Sequence, residues 1–275
     1  MNQQAIIHTV DDVMKTLGAD RGRFVLLLSD AARYMTAAGR MLKSLYPSLF
    51  HVTCVAHLVH NCAERVRNNF SNIDSLVASI KAAVVKNKDR KEMFAEIGYP
   101  PEPIVTRWAT WLKAAFYYAE NLPAVRQVVD SFEGDGLLVK RAKAAVAEPH
   151  LAADLLAVKR DYEQLVHLLE KCESPEYSIT DAHRDLQALS FGKDAAGIKE
   201  YLEKRVQANA DLWAIMELRR SDISPALYGV LQQCQATSVS VERSFSMLKK
   251  MLACDRNFKV DNVEKYFLML FNSRQ

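Results

Sequence analysis

Apolar and polar positions alternate along this chain with two periods, and the change from one to the other divides it. The run Arg23-Phe24-Val25-Leu26-Leu27-Leu28-Ser29-Asp30 is continuously apolar and ends in a carboxylate. That pattern predicts a strand buried on both faces. Met35, Ala38, Met41, Leu42 and Leu45 then recur at helical spacing over Ala31 to Leu45, and Pro47 ends the run. His51 to Val55 is rich in β-branched residues and predicts a second strand, followed by a helix over His57 to Asn69. A short helix, Thr9 to Leu17, precedes all of this, with Thr9 as cap and Gly18 as stop.

Beyond Phe70 no further strand is predicted. Ile73, Leu76, Val77, Ile80 and Val84 mark an amphipathic helix over Asn72 to Lys86. Tyr99-Pro100-Pro101-Glu102-Pro103 reads as a stiff, extended connector. Helices follow over Arg107 to Ala119, from Pro123 to the break at Gly134-Asp135-Gly136, over Leu151 to Cys172, Asp181 to Leu189 and Ala195 to Leu218. Pro225 opens another, and Val239 to Leu252 and Val263 to Phe271 complete the series. The pattern therefore predicts a mainly α fold with a small α/β part at its start.

Composition changes this picture little. The 275 residues are 49% hydrophobic and 25% charged, enough apolar surface for a packed core. The net charge of +3 gives no global mark of a nucleic-acid partner, so any such partner must be read from local features. Five cysteines without a Cys-x-x-Cys pair argue against a disulfide scaffold and fit a reducing compartment. The first residues do not form a secretory signal, and no apolar run is long enough to span a bilayer.

Four constellations can carry chemistry. Asp30, at the end of a buried strand, is either a metal ligand or the cap of the next helix. Cys54, His57 and His60 stand at a strand–helix corner. Their spacing suits zinc poorly, and polar residues fixing the corner are the alternative. Thr106-Arg107-Trp108 joins a guanidinium to an indole, with Trp111 one helical turn on. Helix packing and base stacking with a phosphate contact are both open. Glu242 lies in the first turn of the helix opened by Ser238 or Ser240, where a capping carboxylate is also expected. Val241, Phe245, Leu248 and Leu252 would form that helix's buried stripe.

In this order the pieces resemble the hAT superfamily of DNA transposases. Leu26 to Met35 (LLLSDAARYM) resembles the strand presenting that family's second catalytic Asp, and Cys54 to His57 (CVAH) its C-x-x-H motif. Thr106 to Trp108 (TRW) resembles its Arg-Trp motif, and Ser238 to Lys249 (SVSVERSFSMLK) the region of its catalytic Glu. The resemblance implies an incomplete RNase H-like core, residues 1–70 and 236–275, interrupted by a helical insertion, residues 71–235. It implies Asp30 and Glu242 as catalytic carboxylates and ligands of Mg2+ or Mn2+, which in the family serve phosphodiester cleavage and strand transfer. It further implies DNA contacts at Arg107, Trp108, His57 and Cys54, transposon-end DNA as partner, a homodimer or higher oligomer through the C-terminal region, no membrane, and a nuclear location. Ala31 and Tyr34 stand where the family commonly has Asn, and the strand bearing the family's first Asp is expected to be missing. The expectation is thus a transposase segment or transposase-derived chain without cleavage activity. The alternatives are a domesticated DNA-binding or dimerising module and a plain helical interaction module.

Overall fold

The computed structural model describes residues 2–19, 21–85, 87–104, 109–192 and 195–245. Their secondary structure is mainly helical, with strands β1 (Leu26–Ser29) and β2 (Phe50–Thr53) forming a parallel pair. They divide into two units. The first takes residues 1–56, 172–183 and 209–275, the second residues 57–171 and 184–208. The division cuts through the segment 71–235, because residues 172–183 and 209–235 group with the strands.

In the first unit, β1 and β2 are joined by the helix α2 (Arg33–Leu45), a short β-α-β crossover. Phe50 N–H donates to Val25 C=O at 2.9 Å and Cys54 N–H to Ser29 C=O at 2.7 Å, which fixes the register. α1 (Gln3–Thr16) packs on α2, and its Ile7, Val10 and Met14 join Phe24 and Leu27 against the buried cluster Leu42, Tyr46 and Leu49. α1 begins six residues earlier than Thr9 suggests, because Asn2 Oδ1 caps it by accepting from Ala5 N–H at 3.0 Å. Thr9 instead lies inside the helix, its hydroxyl donating back to Ala5 C=O at 2.8 Å. Gly18 ends the helix region at φ +58, a conformation that suits glycine.

The outer side of β2 is closed by side chains rather than by a strand. His51 N–H donates to Asp211 Oδ2 at 2.5 Å and Thr53 N–H to Asn209 Oδ1 at 3.0 Å. Asn209 Nδ2 donates to Thr53 C=O at 2.9 Å. This explains why the single helix predicted over Ala195 to Leu218 is two, α10 (Ala196–Ala208) and α11 (Ala210–Met216): Asn209 is drawn out to serve the strand. α12 (Pro225–Gln233) opens on Ser224, whose hydroxyl accepts from Leu227 N–H at 3.2 Å.

The second unit is helical: most of α3 (Val55–Asn69), then α4 (Ser71–Val84), α5 (Lys88–Glu92), α6 (Thr110–Asp130), α7 (Leu137–Val146), α8 (Leu151–Cys172), the end of α9 (Ile179–Ala188), and α10. Leu76, Ile80, Leu112, Tyr118, Leu155 and Leu165 are among its fully buried side chains. Pro123 does not start a helix but lies within α6. A proline there removes one N–H and crowds the carbonyl four residues earlier, a cost of about 3 kcal/mol or more that the burial of the surrounding Leu122 and Val125 offsets. α7, which the apolar spacing did not predict, packs against α4 and α6.

Candidate carboxylate site at the end of the two-stranded sheet

Asp30 follows the last residue of β1, and its Oδ1 accepts from Ala32 N–H at 3.1 Å. The carboxylate therefore bridges the extended Ala31-Ala32 link to the start of α2, the local role of an Asp at such a turn. It is partly exposed. Ser29, one residue before it, is 5% exposed, and its hydroxyl donates to Asp30 C=O at 2.8 Å. The same oxygen lies 2.8 Å from His51 Nε2. The buried Ser29 hydroxyl is thus held between the Asp30 carbonyl and the His51 imidazole.

A path of hydrogen bonds leads from this strand end to Glu242. Ser29 C=O takes Cys54 N–H at 2.7 Å, and Cys54 Sγ accepts from Ser238 N–H at 3.2 Å. Val55 N–H donates to Ala236 C=O at 3.1 Å. Ser238 Oγ then donates to Glu242 Oε1 at 2.9 Å, and Glu242 N–H to Ser238 C=O at 3.1 Å. Residues 239–245 are helical, so Ser238 stands at the cap position of this helix with its hydroxyl on the Glu242 carboxylate. The segment before it is fixed on its other side, where Ala236 N–H donates to Tyr177 C=O at 3.0 Å and Thr237 Oγ1 to Cys172 C=O at 3.1 Å. Asp30 and Glu242 are thus each tied to the C-terminal end of the parallel pair, one through β1 and one through β2.

Cys54 is 1% exposed, which suits a bond to Ser238 rather than a direct contact with DNA. His57 lies on α3, with its Nδ1 buried. Arg107 and Trp108 lie outside the described residues, as does everything after Phe245. Trp111 is 4% exposed, so the packing alternative holds for that indole. With His60 and the Arg67–Asp74 ion pair (2.7 Å) it lines a cavity of about 330 Å³ in the second unit. Hydrogen bonding to Asp74 holds the Arg67 guanidinium above its ordinary pKa, and that charge is compensated locally. Val241 and Phe245 are 53% and 64% exposed, so among the described residues the predicted stripe of this helix does not face the core. Val239, two residues before Val241, is buried instead.

Other acidic residues near the start of the chain have different occupations. Asp11 accepts from the Tyr46 hydroxyl at 2.7 Å, and Asp12 pairs with Lys15 across one helical turn. Among the described residues no group of at least three His, Cys, Asp or Glu side chains is placed to hold a metal ion. Sequence reasoning did not single out His51, Asn209 or Asp211, although they order this end of the sheet. An Asn and an Asp two residues apart in a helical pattern give no signal that their target is a strand 156 and 160 residues away. No family model matches the chain, and no curated protein matches it.

Proposed function

We propose that this chain is a segment of a hAT-type DNA transposase, or a protein derived from one, whose Asp30 and Glu242 are the second and third carboxylates of a metal-dependent phosphodiester-cleaving site. The observation that supports the reading is the hydrogen-bonded path Ser29–Cys54–Ser238–Glu242. It ties two acids 212 residues apart in sequence to one end of one sheet, where an α/β layer presents functional groups.

Mg2+ or Mn2+ is the ion such oxygen donors would favour, and Asp30 and Glu242 would hold it. When bound, such ions activate a water or 3′-hydroxyl and stabilise the leaving oxygen. Two carboxylates do not complete a two-metal site, so no catalytic step is assigned to this chain. The proposed partner is DNA, with Arg107, Trp108 and His57 as contacts and Cys54 as a support. Self-association through the C-terminal region and a nuclear location belong to the same proposal.

Incubation of the full chain with supercoiled plasmid and Mn2+ is expected to leave the plasmid uncut. Nicking that disappears in Asp30→Asn would overturn the proposed inactivity. A second reading, a domesticated module without chemistry, is favoured by the structural work both acids already do. Asp30 Oδ1 holds the Ala32 N–H in the link before α2, and Glu242 holds the Ser238 hydroxyl at the start of its helix.

A further inference from the structure

Two exposed arginines of the second unit converge on one tyrosine. The Arg65 guanidinium of α3 lies over the Tyr201 ring of α10, its Cζ 4.2 Å from the ring centroid. Arg205, one turn after Tyr201 on α10, has its Cζ 5.4 Å from the same centroid. The two charges are thus within about 10 Å of each other, the reach of a charge at moderate ionic strength. Both arginines are exposed, and Tyr201 is half-buried.

Among the described residues no carboxylate neutralises this pair. On a helix the partner positions lie three and four residues away. Around Arg65 they hold Asn61, Cys62, Asn68 and Asn69, and around Arg205 they hold Tyr201, Leu202, Ala208 and Asn209, none of them acidic. The nearest acids in sequence are engaged elsewhere. Glu64 pairs with Arg67 at 3.7 Å, and Glu203 with Lys199 at 3.9 Å. Arg67 is the contrast on the same helix, since Asp74 and Glu64 both hold it. The buried Cys62 thiol feels both uncompensated charges: burial pushes it up to about 12 against the pull of Arg65 and Arg205.

The stack decides what these cations can bind. A guanidinium lying on a ring uses its face and keeps its N–H edge, a planar fork that matches two oxygens of an oxyanion. The ring also restrains both long side chains, so binding has less freedom left to remove. We infer that Arg65 and Arg205, stacked on Tyr201, form a binding site for a terminal phosphate dianion, free or carried as a monoester. Charge selects this ligand. A terminal phosphate offers about two charges and three acceptor oxygens, enough for both forks. A carboxylate or a phosphodiester offers one charge. The inference does not rest on the proposed transposase ancestry.

Nuclear magnetic resonance of the arginine Nε–Hε groups in the full chain tests it, at constant ionic strength and about pH 7.5, where a terminal phosphate is mainly dianionic. Inorganic phosphate is expected to shift the Arg65 and Arg205 signals together and saturably, with a Kd of about 1–10 mM for two exposed charge-assisted contacts. Arg65→Gln and Arg205→Gln should each weaken binding about tenfold or more. Tyr201→Leu keeps both charges and should still weaken it about threefold, because the forks are no longer held. Circular dichroism checks that each variant is folded.

O-phosphoserine, titrated separately, distinguishes the sources. Tighter binding than inorganic phosphate assigns the site to a phosphorylated side chain, and equal or weaker binding assigns it to the free ion. Dimethyl phosphate, a diester with one charge, should bind about tenfold more weakly. Equal binding of the diester would overturn the inference. So would shifts that chloride reproduces at the same ionic strength, an unchanged response in both glutamine variants, or no response of the two arginines in the unaltered chain.

Discussion

At the scale of single residues, His51 carries more of the first unit than its type suggests. Its imidazole lies between Ser29 and Gly39, and a Cβ built on Gly39 would stand 2.0 Å from His51 Nδ1. Glycine is required there because α2 approaches β2 too closely for any side chain. Gly39→Ala is therefore expected to destabilise the fold by about 1–3 kcal/mol or more, read as a lower urea midpoint. Burial holds the His51 pKa below its ordinary 6.5; the nearby Asp211 carboxylate opposes this, and Lys43 adds to it. A histidine whose folded pKa is lowered binds its proton later than in the unfolded chain. Its contribution is then complete above about pH 6.5 and is lost as the pH falls toward the folded value. Burial of His183 acts in the same direction. Thermal unfolding followed from pH 7.5 to 5 should show a falling midpoint, with a shallower slope in His51→Gln; a midpoint that rises on acidification would contradict this.

At the scale of elements, the sheet is held as much by side chains as by strands. Asn209 satisfies both backbone groups of Thr53, at 3.0 and 2.9 Å. Asn209→Ala should cost about 1–3 kcal/mol for each group left without a partner, with Asn209→Asp intermediate because it keeps the acceptor for Thr53 N–H. Equal stability of the alanine variant would show that water replaces the side chain without cost. This element also shows where sequence reading stops. The apolar run Phe24 to Leu28 and the spacing in α4 and α8 are strong local signals, and the structure has β1, α4 and α8 there. The break at Asn209 is decided by a partner distant in sequence, which no local pattern encodes. α7 went unread because Gly134-Asp135-Gly136 marks a tight turn, with Gly134 at φ +92, rather than the start of a long loop. Pro123 shows the opposite error, a breaker absorbed within a long helix by packing: Leu122 and Val125 on either side of it are buried.

At the scale of the whole molecule, the candidate site is legible in sequence only in part. Asp30 stood out by ending an apolar strand, and Glu242 by its place in a capping sequence. Neither signal states that the two share a sheet end; that follows from Cys54, whose buried thiol accepts the Ser238 amide proton. The central claim is that Asp30 and Glu242 act together on one divalent cation. Electron paramagnetic resonance of Mn2+ titrated into the full chain tests it most directly. The account predicts weak binding of one ion, lost in Asp30→Asn and equally in Glu242→Gln, with both variants folded by circular dichroism. Mn2+ binding that survives either substitution, or no binding by the unaltered chain, would contradict it.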